Sequence, residues 1–239
     1  MLAIFKREFK AYMQSAIGYV FMGVFLLISG IFFSLYNILS VSADIGAMLG
    51  NLEFIFMILV PILTMKLLSD ERRSKTDQLL LTSPVSLWSI VLGKFFAACA
   101  VFLTTLVVTL SYVIIIDVFG TPAYNEVIAG YIGFFLLGCA LISVGVFTSA
   151  VTENQVTSAV LCFGVMLFLN FAGTITSMLN SGMFSFLSYI IGALDPFSRY
   201  TNFANGIISL SDIVYLLSFT GVFLFLSQRA IEKRRWSEG

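Results

Sequence analysis

Between Lys10 and Asp44 the chain carries no charge, and most of that run is apolar. A helix that crosses a bilayer needs about 20 apolar residues, so this one passage already exceeds what a soluble domain accommodates. The feature recurs. Phe95 to Ile116 is uncharged, as are Val127 to Thr152 and Val156 to Leu194. Lipid offers no hydrogen bonds to an open backbone, so such runs must fold as helices. Composition agrees: 59% of residues are hydrophobic and 11% charged, against roughly 25% charged in soluble domains. The expected fold is an all-α integral membrane protein with six transmembrane helices, forming a single domain over residues 1–239.

The first span is expected at Gly18 to Leu39; it is too long for a cleavable signal and lacks a small-residue cleavage site. The second is less regular. Only 12 uncharged residues separate Glu53 from Lys66, too few at about 1.5 Å per residue. It must begin near Gly50 or earlier and end near Leu68, with Lys66 reaching back to the interface. Glu53 then lies near the outer end, either as a boundary residue or as part of a pathway or gate, the usual meaning of an intramembrane carboxylate. Pro61, mid-span, is expected to kink the helix and joins Glu53 as a pathway candidate. The third span follows Lys94. The fourth, within Val127 to Thr152, carries Gly130, Gly133, Gly138, Ser143, Gly145 and Ser149, small residues that let helices approach closely in lipid. After a tight turn at Thr152 to Gln155, the fifth runs from Val156 to Met178. Asn180 to Gly182 break the apolar run. Phe184 to Ile190 and Phe197 to Ile208 are expected as short segments, the first re-entrant, within an extracytoplasmic region 179–211. The sixth span is expected at Ile213 to Ser227, before a basic tail.

Two polar stretches flank the early spans. In residues 1–15, helical spacing puts Leu2, Phe5, Phe9, Tyr12 and Met13 on one face and Lys6, Arg7, Lys10 and Gln14 on the other. That is the pattern of an interfacial helix in the headgroup plane, with Phe5, Lys6, Arg7, Phe9 and Lys10 as its membrane contacts. A solvated front end of the first span is the alternative. Ser69 to Lys94 is the longest polar passage. Ser74 followed by Asp77 resembles a capping box, Leu79, Leu80 and Leu81 follow, and Ser83-Pro84 ends the element. A short amphipathic helix is expected in this loop, over 69–89, as either a solvated connection or a docking surface for a partner.

Charge is distributed by side. Three Lys and Arg lie in the first helix, five from Lys66 to Lys94 and four in the tail, so 12 of 13 fall on one side and Arg199 alone on the other. Positive residues mark the cytoplasmic side, so both termini are expected inside. The absence of His removes the commonest general base and metal ligand. Cys99, Cys139 and Cys162 lie in apolar runs and read as packing residues. Gly93-Lys94 is no phosphate-binding loop, since Trp88 stands where the first glycine belongs and Phe95 follows the lysine. Catalysis, metal binding and nucleic-acid binding are not expected of this chain.

Three passages carry a resemblance: DERRSKTDQLLLTSPVSLWSIVLGKFFA (Asp70 to Ala97), TENQVTSAVLCFGV (Thr152 to Val165) and GIISLSDIVYLLSFTGVFLFLSQRAIEKRRW (Gly206 to Trp236). With the six-span order, the chain resembles the membrane subunit of ABC-2 type transporters, and within them the gliding-motility-associated permease branch. It departs from the family pattern at Lys75, often Gly, and at Ser209 and Ser211, often Asp and Arg. The resemblance implies a permease in the bacterial plasma (inner) membrane, paired with a second copy or paralogue. It implies cytosolic ABC ATPase subunits that hold ATP and Mg, with no cofactor in this chain. The coupling helix would use Asp70, Glu71, Arg72, Arg73, Lys75, Thr76, Asp77, Leu79, Leu80, Leu81 and Pro84. Membrane lipid and an extracytoplasmic accessory protein are further expected partners. A non-transporting anchor for an ATPase-driven assembly, and a stand-alone channel or secondary transporter, remain open alternatives.

Overall fold

A computed structural model describes residues 1–73, 86–179 and 191–237. Among these the regular structure is all helix. The elements are α1 (Leu2–Gln14), α2 (Ala16–Phe33) running into a π-helical turn (Ser34–Leu39), α3 (Ile45–Thr64), α4 (Ser69–Arg73), α5 (Leu87–Phe119), α6 (Tyr124–Val151), α7 (Gln155–Leu179), α8 (Pro196–Ala204) and α9 (Leu210–Ser237). Six stretches are long and apolar enough to cross a membrane: Ala16–Leu39, Ile45–Arg73, Leu87–Phe119, Tyr124–Val151, Gln155–Thr176 and Leu210–Lys233.

Polar caps fix where several helices begin, as expected of Ser and Asp at the N-cap. Ser15 accepts from Gly18 N, Asp44 from Ala47 N, and Ser86 from Ser89 N. Capping by Ser86 starts the third membrane helix at Leu87, not after Lys94, so Lys94 lies inside the helix. The sixth span likewise does not stop at Ser227. Its polar tail is rich in good helix formers, and an Arg229–Glu232 pair at 2.7 Å one turn apart accompanies its continuation to Ser237. The second short segment forms α8, which buries Phe197, Tyr200 and Phe203. The expected re-entrant segment at 184–190 lies outside the described residues.

Helix α6 is the hub. It packs against α3, α5, α7, α8 and α9, and its small residues are what let them in. A Cβ at Gly138 would stand 2.2 Å from the Phe102 ring of α5, and one at Gly145 2.2 Å from Thr64 Oγ1 of α3. Side chains there would force the helices apart, so the packing role expected of these glycines holds. Five phenylalanines from four helices fill the centre: Phe21 and Phe25 (α2), Phe56 (α3), Phe102 (α5) and Phe134 (α6). Phe56 and Phe102 lie 4.4 Å apart by ring centroid, and Tyr200 of α8 extends the cluster edge-on to Phe134 at 5.8 Å. Ring pairs at these separations add about 0.5–1.5 kcal/mol each beyond the area they bury.

Candidate functional site

The end of the bundle that carries α1, α4 and the start of α5 gathers the basic residues. Its geometry begins with a break in the second span. Helix α3 runs through Pro61 to Thr64, and turns occupy 65–68 before α4 starts at Ser69. The interruption therefore falls four residues beyond the proline. There Leu67 N bonds to Thr64 O (3.0 Å), which leaves the Leu63 carbonyl without its helical donor. Tyr12 of α1 supplies one: its hydroxyl donates to Leu63 O at 2.8 Å. Burial pushes the Tyr12 phenol far above its ordinary range, so it stays a donor.

Ser149 of α6 holds the other side of the break. Its Oγ accepts from Leu68 N (3.0 Å) and Ser69 N (3.1 Å) and donates to Met65 O (3.3 Å). That is the full capacity of a hydroxyl, one donor and two acceptor positions. Two side chains from distant helices thus satisfy the backbone of the break, alongside the local Ser69 hydroxyl, which donates to Met65 O.

Beside it lies an ion cluster around a buried lysine. Lys94 of α5, only 2% exposed at its side chain, places Nζ 2.8 Å from Glu71 Oε1 and 3.3 Å from Glu8 Oε1. Arg7 completes the set, 2.6 Å from Glu8 and 3.2 Å from Glu71. Two cations and two carboxylates bind α1, α4 and α5 together. Gly93 makes room for the contact, since a Cβ there would meet Ile4 of α1 at 2.9 Å. A cavity of about 300 Å³ opens alongside, lined by Glu8, Tyr12, Ser15, Lys66, Asp70 and Lys94 among others.

On its far side α4 is tied to the α6–α7 turn. Arg72 pairs with Glu153 and donates to Val151 O at 3.2 Å, and Gln155 donates to Asp70. Of the four charges at the head of the loop, Asp70, Glu71 and Arg72 therefore make contacts within the bundle, while Asp70 and Arg73 are exposed. Lys75, Thr76, Asp77, Leu79, Leu80, Leu81 and Pro84 lie outside the described residues.

Helix α1 has the expected two faces, with Lys6, Arg7 and Lys10 exposed and Phe5 and Phe9 half-buried and stacked at 5.9 Å. Leu2 departs from the pattern at 66% exposed. Sequence reasoning missed Glu8, which shares the inward face with Ile4 and Tyr12. An acid on an apolar stripe at i, i+4 spacing was the available signal.

At the opposite end, Glu53 is half-buried on α3. Near that end Asp195 caps α8 by accepting from Phe197 N (2.9 Å) and Ser198 N (3.2 Å). Desolvation raises the Asp195 carboxyl above its usual range, partly offset by those hydrogen bonds. Arg199 lies 3.3 Å from Asp212 and over the ring of Tyr215, so the lone basic residue expected on this side is held by an acid. Glu53 and Pro61 are not brought together: the proline sits two turns along α3, near the break.

Among the described residues no group of His, Cys, Asp and Glu is placed to hold a metal ion. The family described as ABC-2 family transporter protein matches residues 2–231. Comparison with curated proteins gives no match.

Proposed function

Since the chain belongs to the ABC-2 family of transporter proteins, we propose that it is the permease subunit of an exporter driven by separate cytosolic ATPase subunits. It is a multi-pass membrane protein, and in this reading ATP and Mg reside on the partner, not on this chain. The basic end faces the cytoplasm, as the distribution of Lys and Arg favours, and both termini lie on that side of a bacterial plasma membrane. A second copy or paralogue completes the transmembrane unit. The RRW tail and the Asp70 to Ala97 passage favour the gliding-motility-associated branch.

The observation that carries the reading is the break at 65–68. Helix α3 ends there, and α4 follows with Asp70 and Arg73 exposed while Glu71 and Arg72 grip α1, α5 and the α6–α7 turn. A displacement of the loop by an ATPase would reach three membrane helices through those contacts. In this assignment Asp70, Arg73, Lys75, Thr76 and Asp77 steer the docking, and Leu79, Leu80 and Leu81, ahead of Pro84, fill a groove on the partner. Charges at a rim set encounter and register, and buried apolar anchors supply affinity. Lys6 and Lys10 keep α1 at the headgroups. Glu53, near the far end, borders the pathway, and α8 faces any extracytoplasmic accessory protein.

Leu80→Asp tests this. The variant is expected to keep its spans folded and to lose transport-linked ATPase activity in the purified complex. Wild-type activity in that variant overturns the coupling assignment, and a chain that purifies free of any ATPase favours a stand-alone channel or secondary transporter instead. Cysteines placed at Ala43 and Ser74 check orientation: labelling of the Ser74 position from outside reverses it.

A further inference from the structure

The cavity of about 300 Å³ beside the Lys94 cluster differs from the apolar pockets in having a charged lining. It lies at the corner where the chain passes from α1 into the first span. Glu8 of α1 is part of its wall, and Ala16 and Ile17, the first residues of α2, close the corner. Lys66 of the break and Asp70 of α4 belong to the same lining.

Two of these charges are not spent on the protein. Glu8 Oε1 accepts from Arg7 at 2.6 Å and from Lys94 at 3.3 Å. Its Oε2 takes no hydrogen bond among the described residues, and it is not among the atoms sealed from solvent. The Glu8 side chain keeps 15% of its surface exposed. Lys66 is exposed and forms no ion pair among the described residues. The cavity thus offers a carboxylate oxygen that lacks a donor and an ammonium that lacks an acceptor. The start of α2 adds to the second, because the first N–H groups of a helix have no intrahelical acceptor.

The balance of charge narrows the ligand. Glu8, Asp70 and Glu71 stand against Lys66, Lys94 and the Arg7 that pairs with two of those acids, so the surroundings are neutral as a whole. A simple anion or cation would bring an unbalanced charge, whereas a zwitterion meets both open groups at once. Depth narrows it further. Helix α1 has the two faces of a helix in the headgroup plane, and below the corner Tyr19 and Val20 of α2 are 62% and 48% exposed. An apolar track therefore continues from the cavity into the bilayer.

We propose that this cavity binds the headgroup of an amino-phospholipid of the phosphatidylethanolamine type. Its ammonium donates to Glu8 Oε2, its phosphate lies by Lys66 and the start of α2, and its acyl chains follow α2. A choline headgroup has the same phosphate but no N–H, so it leaves Glu8 unmet. The site does not rest on the ATPase-coupling reading.

Native mass spectrometry of the full chain tests this, with the protein released from micelles holding equal amounts of dioleoyl phosphatidylethanolamine, phosphatidylcholine and phosphatidylglycerol. The ethanolamine lipid is expected to be retained at least fivefold over each of the others. Glu8→Gln and Lys66→Gln are each expected to bring that preference close to one; Lys66→Gln, at an exposed position, serves alone if the other variant does not fold. Equal retention of the choline lipid by the wild type overturns the ammonium assignment. Preferred retention of the glycerol lipid makes this a plain anion site and overturns the proposal. A preference unchanged in the variants overturns the location. Soluble phosphoethanolamine shares the headgroup chemistry but has no chains, and at tenfold excess it is expected to leave the lipid in place. Displacement would assign the cavity to a soluble zwitterion and overturn the lipid.

Discussion

Lys94 Nζ lies 2.8 Å from Glu71 Oε1, with the lysine side chain 2% exposed. This contact joins the third span to the first turn beyond the second. Burying such a charge is tolerable only because Glu71 and Glu8 both face it. Removing one member of a buried ion pair costs about 3–5 kcal/mol where the partner is left uncompensated. Lys94→Met leaves Glu8 and Glu71 with Arg7 alone, so it is expected to lower the thermal stability of the purified chain, by less than that figure. Glu8→Gln, which leaves Lys94 with Glu71, is expected to cost less. Thermal unfolding in detergent checks both, and a double-mutant cycle should show non-additive effects.

Ser149 is a second point of dependence. Ser149→Ala leaves the Leu68 and Ser69 amides without their acceptor, a loss of about 1–3 kcal/mol for an unmet buried group. The effect should be local. Hydrogen exchange is expected to accelerate at 67–70 while the centre of α6 stays protected. Unchanged exchange at those amides would remove Ser149 as the clamp of the break.

Much of this bundle was legible in the uncharged runs, because lipid leaves the backbone no choice but helix. What escaped was set by distant partners. A lysine in sequence reads as the edge of a span, and Lys94 was so read. Its neutralisers, Glu8 and Glu71, come from 86 and 23 residues away, which no local window contains. The break at 65–68 carries no Gly or Pro of its own, and besides the local Ser69 hydroxyl it draws on those of Tyr12 and Ser149. The end of the sixth helix was missed for another reason: apolarity marks where a helix leaves the membrane, not where it ends. The glycines of α6 were easier, since small residues in an apolar run have few other uses.

Gly145 offers a test of that packing. Gly145→Val places atoms where Thr64 now stands, and overpacking of this kind costs about 1–3 kcal/mol. The α3–α6 contact is expected to loosen next to the break, so thermal stability and protection at 65–69 should fall together. Gly164→Ala is the control, because a Cβ there meets nothing within 4 Å, and it should behave as wild type.

Asp195 predicts a pH dependence. Its carboxyl is raised in the folded chain, chiefly by desolvation, so the folded state holds the proton more tightly than the unfolded one. The linked stability is fully present below the ordinary carboxylate pKa. It is lost as pH rises through the raised folded value. Asp195→Asn retains an oxygen for the Phe197 and Ser198 amides but does not titrate. As pH is lowered from neutral, the wild type is expected to gain stability relative to this variant. Parallel melting curves at every pH would remove Asp195 as the source.

Arg72 separates stability from transmission. Its pair with Glu153 is largely exposed on the acid's side, 67% against 23%, and exposed pairs contribute about 0–1 kcal/mol. Arg72→Ala should therefore melt close to wild type. The same side chain also holds Val151 O, so its loss detaches α4 from the α6–α7 turn. If α4 passes motion to the spans, the variant complex is expected to bind its ATPase normally yet show several-fold less transport-linked hydrolysis. Measuring binding and hydrolysis on one preparation distinguishes the cases. Loss of both would make Arg72 a docking residue, and loss of neither would leave Glu71 and Lys94 as the connection to pursue.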